Sequence, residues 1–136
     1  MAASDLAPLL LLPCDFVALA SEIGEGDRAI LTQFRNFREY APEIHDFADT
    51  ANLIETLDLV ISVDASVAHL SAALGRTTWV LLPRNADWHW GNGDKVSPWY
   101  PTSTRLFRQQ IAGSWESVVG DVILALGEIL RDRGGA

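Results

Sequence analysis

Short apolar runs separated by polar, glycine-containing segments predict strands that alternate with helices along the chain. Phe16 to Ala20 and Leu59 to Val63 are almost wholly apolar, which is typical of strands buried on both faces of a parallel sheet. Thr77 to Leu82 predicts a further strand of this kind, and Thr104 to Arg108 predicts a last one. A brief strand is also expected near Ile44, after Pro42.

Helical spacing of apolar residues is clearest in two segments. Ser66 to Leu74 is rich in small residues and is followed by Gly75, a typical helix stop. The C-terminal segment, with Ser114 as its expected cap, has a long apolar stripe made of Trp115, Val118, Val119, Val122, Ile123, Leu126, Ile129 and Leu130.

Three other segments have weaker patterns. Arg28 to Phe37 predicts a short helix, and Asp49 or Thr50 is expected to cap another helix that contains Leu53, Ile54 and Leu57. Leu6 to Leu12 is expected to form a short helix or extended segment. Together these elements predict an α/β domain with a mostly parallel sheet, helices on both faces and a ligand crevice at the carboxyl ends of the strands.

Length and composition restrict the class of protein. The chain has 136 residues, which predicts one domain, residues 1–136. Its formal net charge of −8 disfavours nucleic acid and anionic lipid as partners. The apolar run near the start is too short for a targeting or membrane-spanning segment. Cys14 is the single cysteine, so no internal disulfide forms and a reducing cytoplasm is the expected location.

The segment Val63-Asp64-Ala65-Ser66-Val67-Ala68-His69 has the strongest potential for chemistry. It joins a buried strand to a helix, and such a turn directs backbone N–H groups and the positive end of the helix dipole toward the crevice. That arrangement suits a diphosphate, with Ser66 as a further donor and Asp64 as an acceptor for sugar hydroxyls. The alternative is that Asp64 and Ser66 cap the helix and that His69 belongs to the interior.

The longer run DFADTANLIETLDLVISVDASVAHLSAALGRTTWVLLP, from Asp46 to Pro83, resembles the carboxy-terminal half of heptosyltransferase-like glycosyltransferases, including those fused to tetratricopeptide repeats. Three later segments are similar to the repeat-associated subgroup: Asp87-Trp88-His89-Trp90, Ser97-Pro98-Trp99-Tyr100-Pro101 and Arg105-Leu106-Phe107-Arg108-Gln109. The resemblance implies one half of a GT-B fold, a Rossmann-like domain that binds a nucleotide-diphosphate sugar as donor substrate. It implies no cofactor and no required metal.

The family's D-[ST]-[GA]-x-x-H pattern places Asp64 at the sugar and His69 at the position of the family's histidine. Its phosphate-binding pair corresponds to Ala65 and Ser66. Ala65 stands where the family has Ser or Thr, so one hydroxyl donor is lost, and Ser66 is expected to compensate. Glu22 resembles the family's acidic residue near the donor ribose. The alternative is that Glu22 is a solvated loop carboxylate without a role in binding.

The resemblance does not extend to the acceptor domain that usually carries the catalytic base, or to the first strand of the donor domain. We therefore expect no catalytic residue in this chain, which is not expected to be catalytic alone. A separate acceptor domain or a homodimer would complete it. The alternative function is a non-catalytic structural or oligomerisation remnant of a glycosyltransferase.

Several weaker signals remain open. Gly24 and Gly26, with Asp46 further on, formally match a dinucleotide-binding pattern, although Glu25 and Asp27 would repel a pyrophosphate. Arg84 follows a strand and either neutralises phosphate or is a solvated loop residue. The predicted loop from Pro83 to Pro101 is long and contains four aromatic residues: Trp88, Trp90, Trp99 and Tyr100. They either stack on a ligand ring or fill the core, and core filling is favoured for most of them.

The histidines and the cysteine predict neither a metal centre nor a nucleophile. His45, His69 and His89 lie on three separate predicted elements, without the spacing of a zinc site. No cation is expected near Cys14 to lower its pKa, so it is interpreted as a small apolar residue.

Overall fold

A computed structural model describes residues 1–20, 22–39, 44–86, 90–91, 95 and 97–134. In these residues five helices alternate with strands that pair only in parallel, consistent with a Rossmann-like α/β fold. The predicted fold class is therefore confirmed. The chain divides into two compact units, one made of Met1–His45 with Trp115–Ala136 and the other of Asp46–Ser114.

The first unit contains a two-stranded sheet and three α-helices. Its strands are β1 (Phe16–Ala18) and β2 (Phe37–Glu39), with Phe16 opposite Phe37. The helices are α1 (Ala3–Leu6), α2 (Glu25–Leu31) and α5 (Glu116–Gly134), and Leu9–Leu11 forms one turn of 3-10 helix. α1 packs against both α2 and α5.

β1 ends at Ala18 and not at the predicted Ala20, and two further predictions for this unit were wrong at their boundaries. α2 ends at Leu31 instead of continuing to Phe37, and the strand expected near Ile44 occurs at Phe37–Glu39. Asn36 supplies the physical reason, because its side-chain amide donates to the carbonyl oxygens of Leu10, Leu12 and Cys14 at 2.8–3.2 Å. These tertiary hydrogen bonds position the start of β2 beside β1. Pro42 lies outside the described residues.

The second unit contains a three-stranded parallel sheet of order β3-β4-β5. The strands are β3 (Val60–Val63), β4 (Thr78–Leu82) and β5 (Thr104–Arg108), close to their predicted positions. The helices are α3 (Phe47–Glu55) and α4 (Ser66–Ala73). Asp46 caps α3 by accepting a hydrogen bond from Asp49 N–H at 2.8 Å, so the predicted caps, Asp49 and Thr50, were wrong.

Small residues let α4 pack closely on its sheet. Ala68 is fully buried in a cluster with Val80, Leu82, Trp90 and Leu106. One turn later, the hydroxyls of Ser71 and Thr78 share a 2.7 Å hydrogen bond within the core. A buried polar contact of this kind fixes the position of the helix along β4 more specifically than apolar packing does.

α5 has the predicted apolar stripe, and its most buried residues are Val118, Val119, Val122, Ala125 and Leu126. It begins at Glu116, and the N–H of the predicted cap Ser114 donates to Ile111 O in the preceding turn. Ser114 therefore ends the turn before the helix. Within the described ranges, no helix is both long enough and apolar enough to cross a bilayer.

Gly75 ends α4 in a Schellman motif, in which Gly75 N–H donates to Ala72 O and Arg76 N–H to Ser71 O. Its φ of +75° is a left-handed conformation, whereas Gly26 in α2 has no positive φ.

We predict that Gly75→Ala lowers the free energy of unfolding by about 1 kcal/mol through backbone strain. Gly26→Ala serves as the matched control and should leave stability unchanged or raise it. Urea unfolding measures both, and a stabilised Gly75→Ala protein would contradict the assignment.

Candidate functional site

The carboxyl ends of the strands in the second unit meet along one edge of the sheet. β3 ends at Val63, opposite Leu81, and β4 ends at Leu82, opposite Arg108. The segments that follow the three strands therefore emerge side by side. In open α/β sheets this edge is where ligands bind.

A two-residue turn, Asp64-Ala65, joins β3 to α4. Ala65 occupies the N-cap position with φ −149° and ψ 165°, and its carbonyl accepts hydrogen bonds from the N–H groups of Ala68 and His69. Among the described residues no side chain caps this end of the helix. The first-turn N–H groups of exposed Ser66 and of Val67 are thus available to solvent or an anion, and they carry the positive end of the helix dipole. Asp64 and Ser66 do not act as the helix cap, the alternative considered from the sequence.

His69 lies between a carboxylate and two aromatic rings. Its Nε2 is 3.6 Å from Asp64 Oδ1, and both side chains are about one-third exposed, 37% and 31%. The imidazole stacks on Trp90, with ring centroids 4.8 Å apart, and meets Tyr100 edge-on at 6.0 Å. The position of His69 is therefore intermediate: one ring face contacts the core and one edge remains beside Asp64 at the surface.

The long segment after β4 is anchored to the sheet by Trp90 and Arg108. Trp90 is fully buried, as the core-filling interpretation predicts, and its carbonyl accepts a 2.7 Å hydrogen bond from Arg108 Nη2. The same nitrogen donates to Gly91 O, while Arg108 Nε is buried with no hydrogen-bond acceptor in the described part of the chain. Trp99, by contrast, is 60% exposed. Trp88 and His89 lie outside the described residues.

Arg84 follows β4 at the same edge and is exposed. Its backbone N–H donates to Oε1 of Gln109, which also accepts from Gly113 N–H at 3.0 Å. Gln109 is buried and thus connects the segments that leave β4 and β5. This role of Gln109 was not predicted from the sequence, although a polar residue directly after a buried strand was an available signal.

Glu22 belongs to the first unit and is exposed. The nearby dinucleotide pattern begins at Gly24, the N-cap of the seven-residue helix α2. Neither Gly24 nor Gly26 has a positive φ, and a Cβ on either would meet no described atom within 4 Å. The tight turn for which such a fingerprint needs glycine is not a feature of this helix start. Glu25 and Asp27 also make its first turn acidic.

The described residues contain no cluster of three or more His, Cys, Asp or Glu side chains that could hold a metal ion. Burial raises the pKa of the Cys14 thiol, and the neighbouring Asp15 carboxylate raises it further. Both effects disfavour the thiolate, the nucleophilic form of cysteine.

Comparison with protein-family models, with curated proteins and with solved structures gives no significant match to this chain.

Two tryptophans of the segment after β4 provide a matched test of whether Trp90 anchors this segment to the sheet. Trp90→Ala should lower the free energy of unfolding by about 3 to 5 kcal/mol, because it empties a fully buried site in the core. Trp99→Ala should change it by less than about 0.5 kcal/mol, because most of that side chain is exposed. Denaturant unfolding measures both, and equal losses for the two variants would contradict this anchor.

Cys14 gives a pH-dependent prediction. Its raised pKa means that the thiolate appears only at higher pH than for an ordinary cysteine, so alkylation by iodoacetamide near neutral pH should be slow. Asp15→Asn removes the neighbouring charge and should increase the alkylation rate at a given pH, whereas Asp5→Asn should not. A rate profile matching that of free cysteine would show that the thiol is unperturbed.

Proposed function

We propose that the β3–α4 turn binds the diphosphate of a nucleotide sugar. The observation that carries this proposal is the uncapped start of α4, where Ala65 offers no side-chain acceptor to the first-turn N–H groups. An anion at this position would accept hydrogen bonds from Ser66 and Val67 and interact favourably with the helix dipole. The Ser66 hydroxyl, exposed beside these groups, is a further donor.

The remaining groups at this edge suit the other parts of such a ligand. Asp64 is partly exposed and accepts hydrogen bonds, as sugar hydroxyls require. Arg84 supplies a positive charge at the end of the next strand. Because the chain as a whole carries a net charge of −8, attraction of a diphosphate depends on these local groups.

In this proposal the domain is the donor-binding part of a hexosyl- or heptosyltransferase-like protein. Transfer itself needs a general base that activates the acceptor hydroxyl and a site that excludes water. We assign neither role to a residue of this chain, and a separate acceptor domain would supply them. The helix terminus and nearby cations would stabilise the departing diphosphate in place of a metal ion.

A non-catalytic structural module is the second candidate. Ala65 favours it, because the residue lacks the hydroxyl that the resembling family uses at the phosphate. Such a module would keep the fold and lose affinity for nucleotides.

Isothermal titration with UDP, GDP, ADP and NAD tests the donor site. We predict saturable binding of one nucleoside diphosphate, unchanged when EDTA removes divalent metal, and no comparable binding of NAD. Ser66→Trp should reduce the affinity at least about tenfold, because an indole at the first helical residue obstructs the N–H groups.

Ser4→Trp is the matched control, since Ser4 is also an exposed serine in the first turn of a helix and lies in the other unit. It should bind as the unmodified chain does. A folded protein that binds none of the four ligands would reject the donor site and favour the structural module. Equal effects of both tryptophan variants would reject the turn as the binding position.

A further inference from the structure

Each sheet has one outer strand that carries charged side chains and one that carries none. The charged strands are β2 and β5, with Arg38, Glu39, Arg105 and Arg108. β1 and β3 contain no charged residue. Charged side chains are one way in which proteins prevent an edge strand from pairing with another chain. The composition of β1 and β3 is instead typical of interior strands in a parallel sheet.

Hydrogen bonding at β5 agrees with this difference. In the parallel ladder with β4, the N–H groups of Thr104 and Leu106 point away from the sheet. Both are satisfied by the preceding segment: Thr104 N–H donates to Tyr100 O at 3.2 Å and Leu106 N–H to Lys95 O at 2.7 Å. The preceding segment therefore covers the outer edge of β5 at Thr104 and Leu106.

The outer edge of β3 is not covered in this way. Val60 N–H donates to Thr77 O beside β4, so the alternation of a parallel ladder directs Ile61 and Val63 N–H outward. Neither of these two N–H groups has a hydrogen-bond acceptor among the residues that the structure describes. The outward edge thus offers unpaired donors on a strand without protective charges.

β1 presents a second edge of the same kind. Phe16 N–H donates to Asn36 O on the β2 side, which directs the N–H and C=O groups of Val17 outward. Within the described ranges these groups have no hydrogen-bond partner either. One chain therefore carries two bare, uncharged edges of three and four residues.

We propose that two copies of this chain associate through these edges, with β1 of each copy pairing in parallel with β3 of the other. The chain itself supplies both halves of the ladder, so no other partner is needed to satisfy the outward groups. Reciprocal pairing would form two equivalent ladders related by a two-fold axis. This inference is independent of the nucleotide-sugar proposal.

The charges beside the strands predict the salt dependence of this association. Asp15 directly precedes β1 and Asp64 directly follows β3, and each copy has a net charge of −8. Parallel pairing places Asp15 of one copy and Asp64 of the other at opposite ends of a ladder, where each lies in the field of the other copy's net negative charge. Added salt should therefore strengthen dimerisation by screening this repulsion. Association through ion pairs would weaken under the same conditions.

Sedimentation equilibrium on the full chain, over concentrations up to hundreds of micromolar, tests the proposal. Val63→Pro removes an outward N–H without removing a ladder donor to β4, and proline is tolerated at such edge positions. Val63→Thr is the matched control, because it changes the same side chain and keeps the N–H. We expect dimers for the unmodified chain and for Val63→Thr, and monomers for Val63→Pro and for Val17→Pro.

Mixing the two proline variants adds a complementation test. Val63→Pro keeps an intact β1 and Val17→Pro keeps an intact β3, so the mixture can form one of the two ladders and should dimerise where each variant alone does not. Circular dichroism establishes that each variant is folded. If the unmodified chain stays monomeric at every concentration, that result alone would overturn the proposal. Dimers that persist in the proline variants, or a mixture of folded variants that stays monomeric, would overturn it as well.

Discussion

The parallel pairing of β4 with β3 on one side and β5 on the other determines the geometry of the second unit. It sets the register that opposes Val63 to Leu81 and Leu82 to Arg108. Three strands consequently end along one edge, and the turn into α4 opens there. Close packing of Ala68 and the buried Ser71–Thr78 hydrogen bond hold α4 against this sheet. The positive end of the helix is positioned by these contacts and not by a side-chain cap.

The long segment after β4 depends on the same register. Arg108 is the last residue of β5, and its Nη2 holds the carbonyls of Trp90 and Gly91. Trp90 in turn stacks on one face of His69, which also contacts Tyr100 and Asp64. A ligand at the start of α4 would therefore meet the imidazole of His69. The orientation of this ring depends, through Trp90, on Arg108 at the end of β5, which is two strands away from β3 in the sheet.

Elements with strong local patterns could be predicted from the sequence. β5 lies at its predicted bounds, and α4 differs from its prediction only at the last residue, because apolar runs and Gly75 determine both locally. The start of β2 could not be predicted, since it depends on hydrogen bonds from Asn36 to carbonyls more than twenty residues earlier. The cap of α3 was misplaced because Asp46, Asp49 and Thr50 all have side chains that can cap a helix.

In the candidate site, too, the features with a local sequence pattern could be predicted and the contacts between distant segments could not. The Asp64–His69 turn could be predicted because it follows a buried strand and begins a helix. The contacts of Gln109 and the stacking of Trp90 on His69 could not, because they depend on how distant segments fold back onto the edge. At Ala65 the family resemblance implied the loss of a hydroxyl donor, and the structure adds that the backbone donors remain uncapped at that position.

Backbone amide NMR during titration with a nucleoside diphosphate would test the central claim most directly. The account predicts that the largest ¹H–¹⁵N shift changes occur at Ser66 and Val67, because their N–H groups would bind the phosphate oxygens. Smaller changes would follow at Asp64 and His69. Saturable changes centred elsewhere, or none in a folded chain, would contradict the claim that the start of α4 is a diphosphate site.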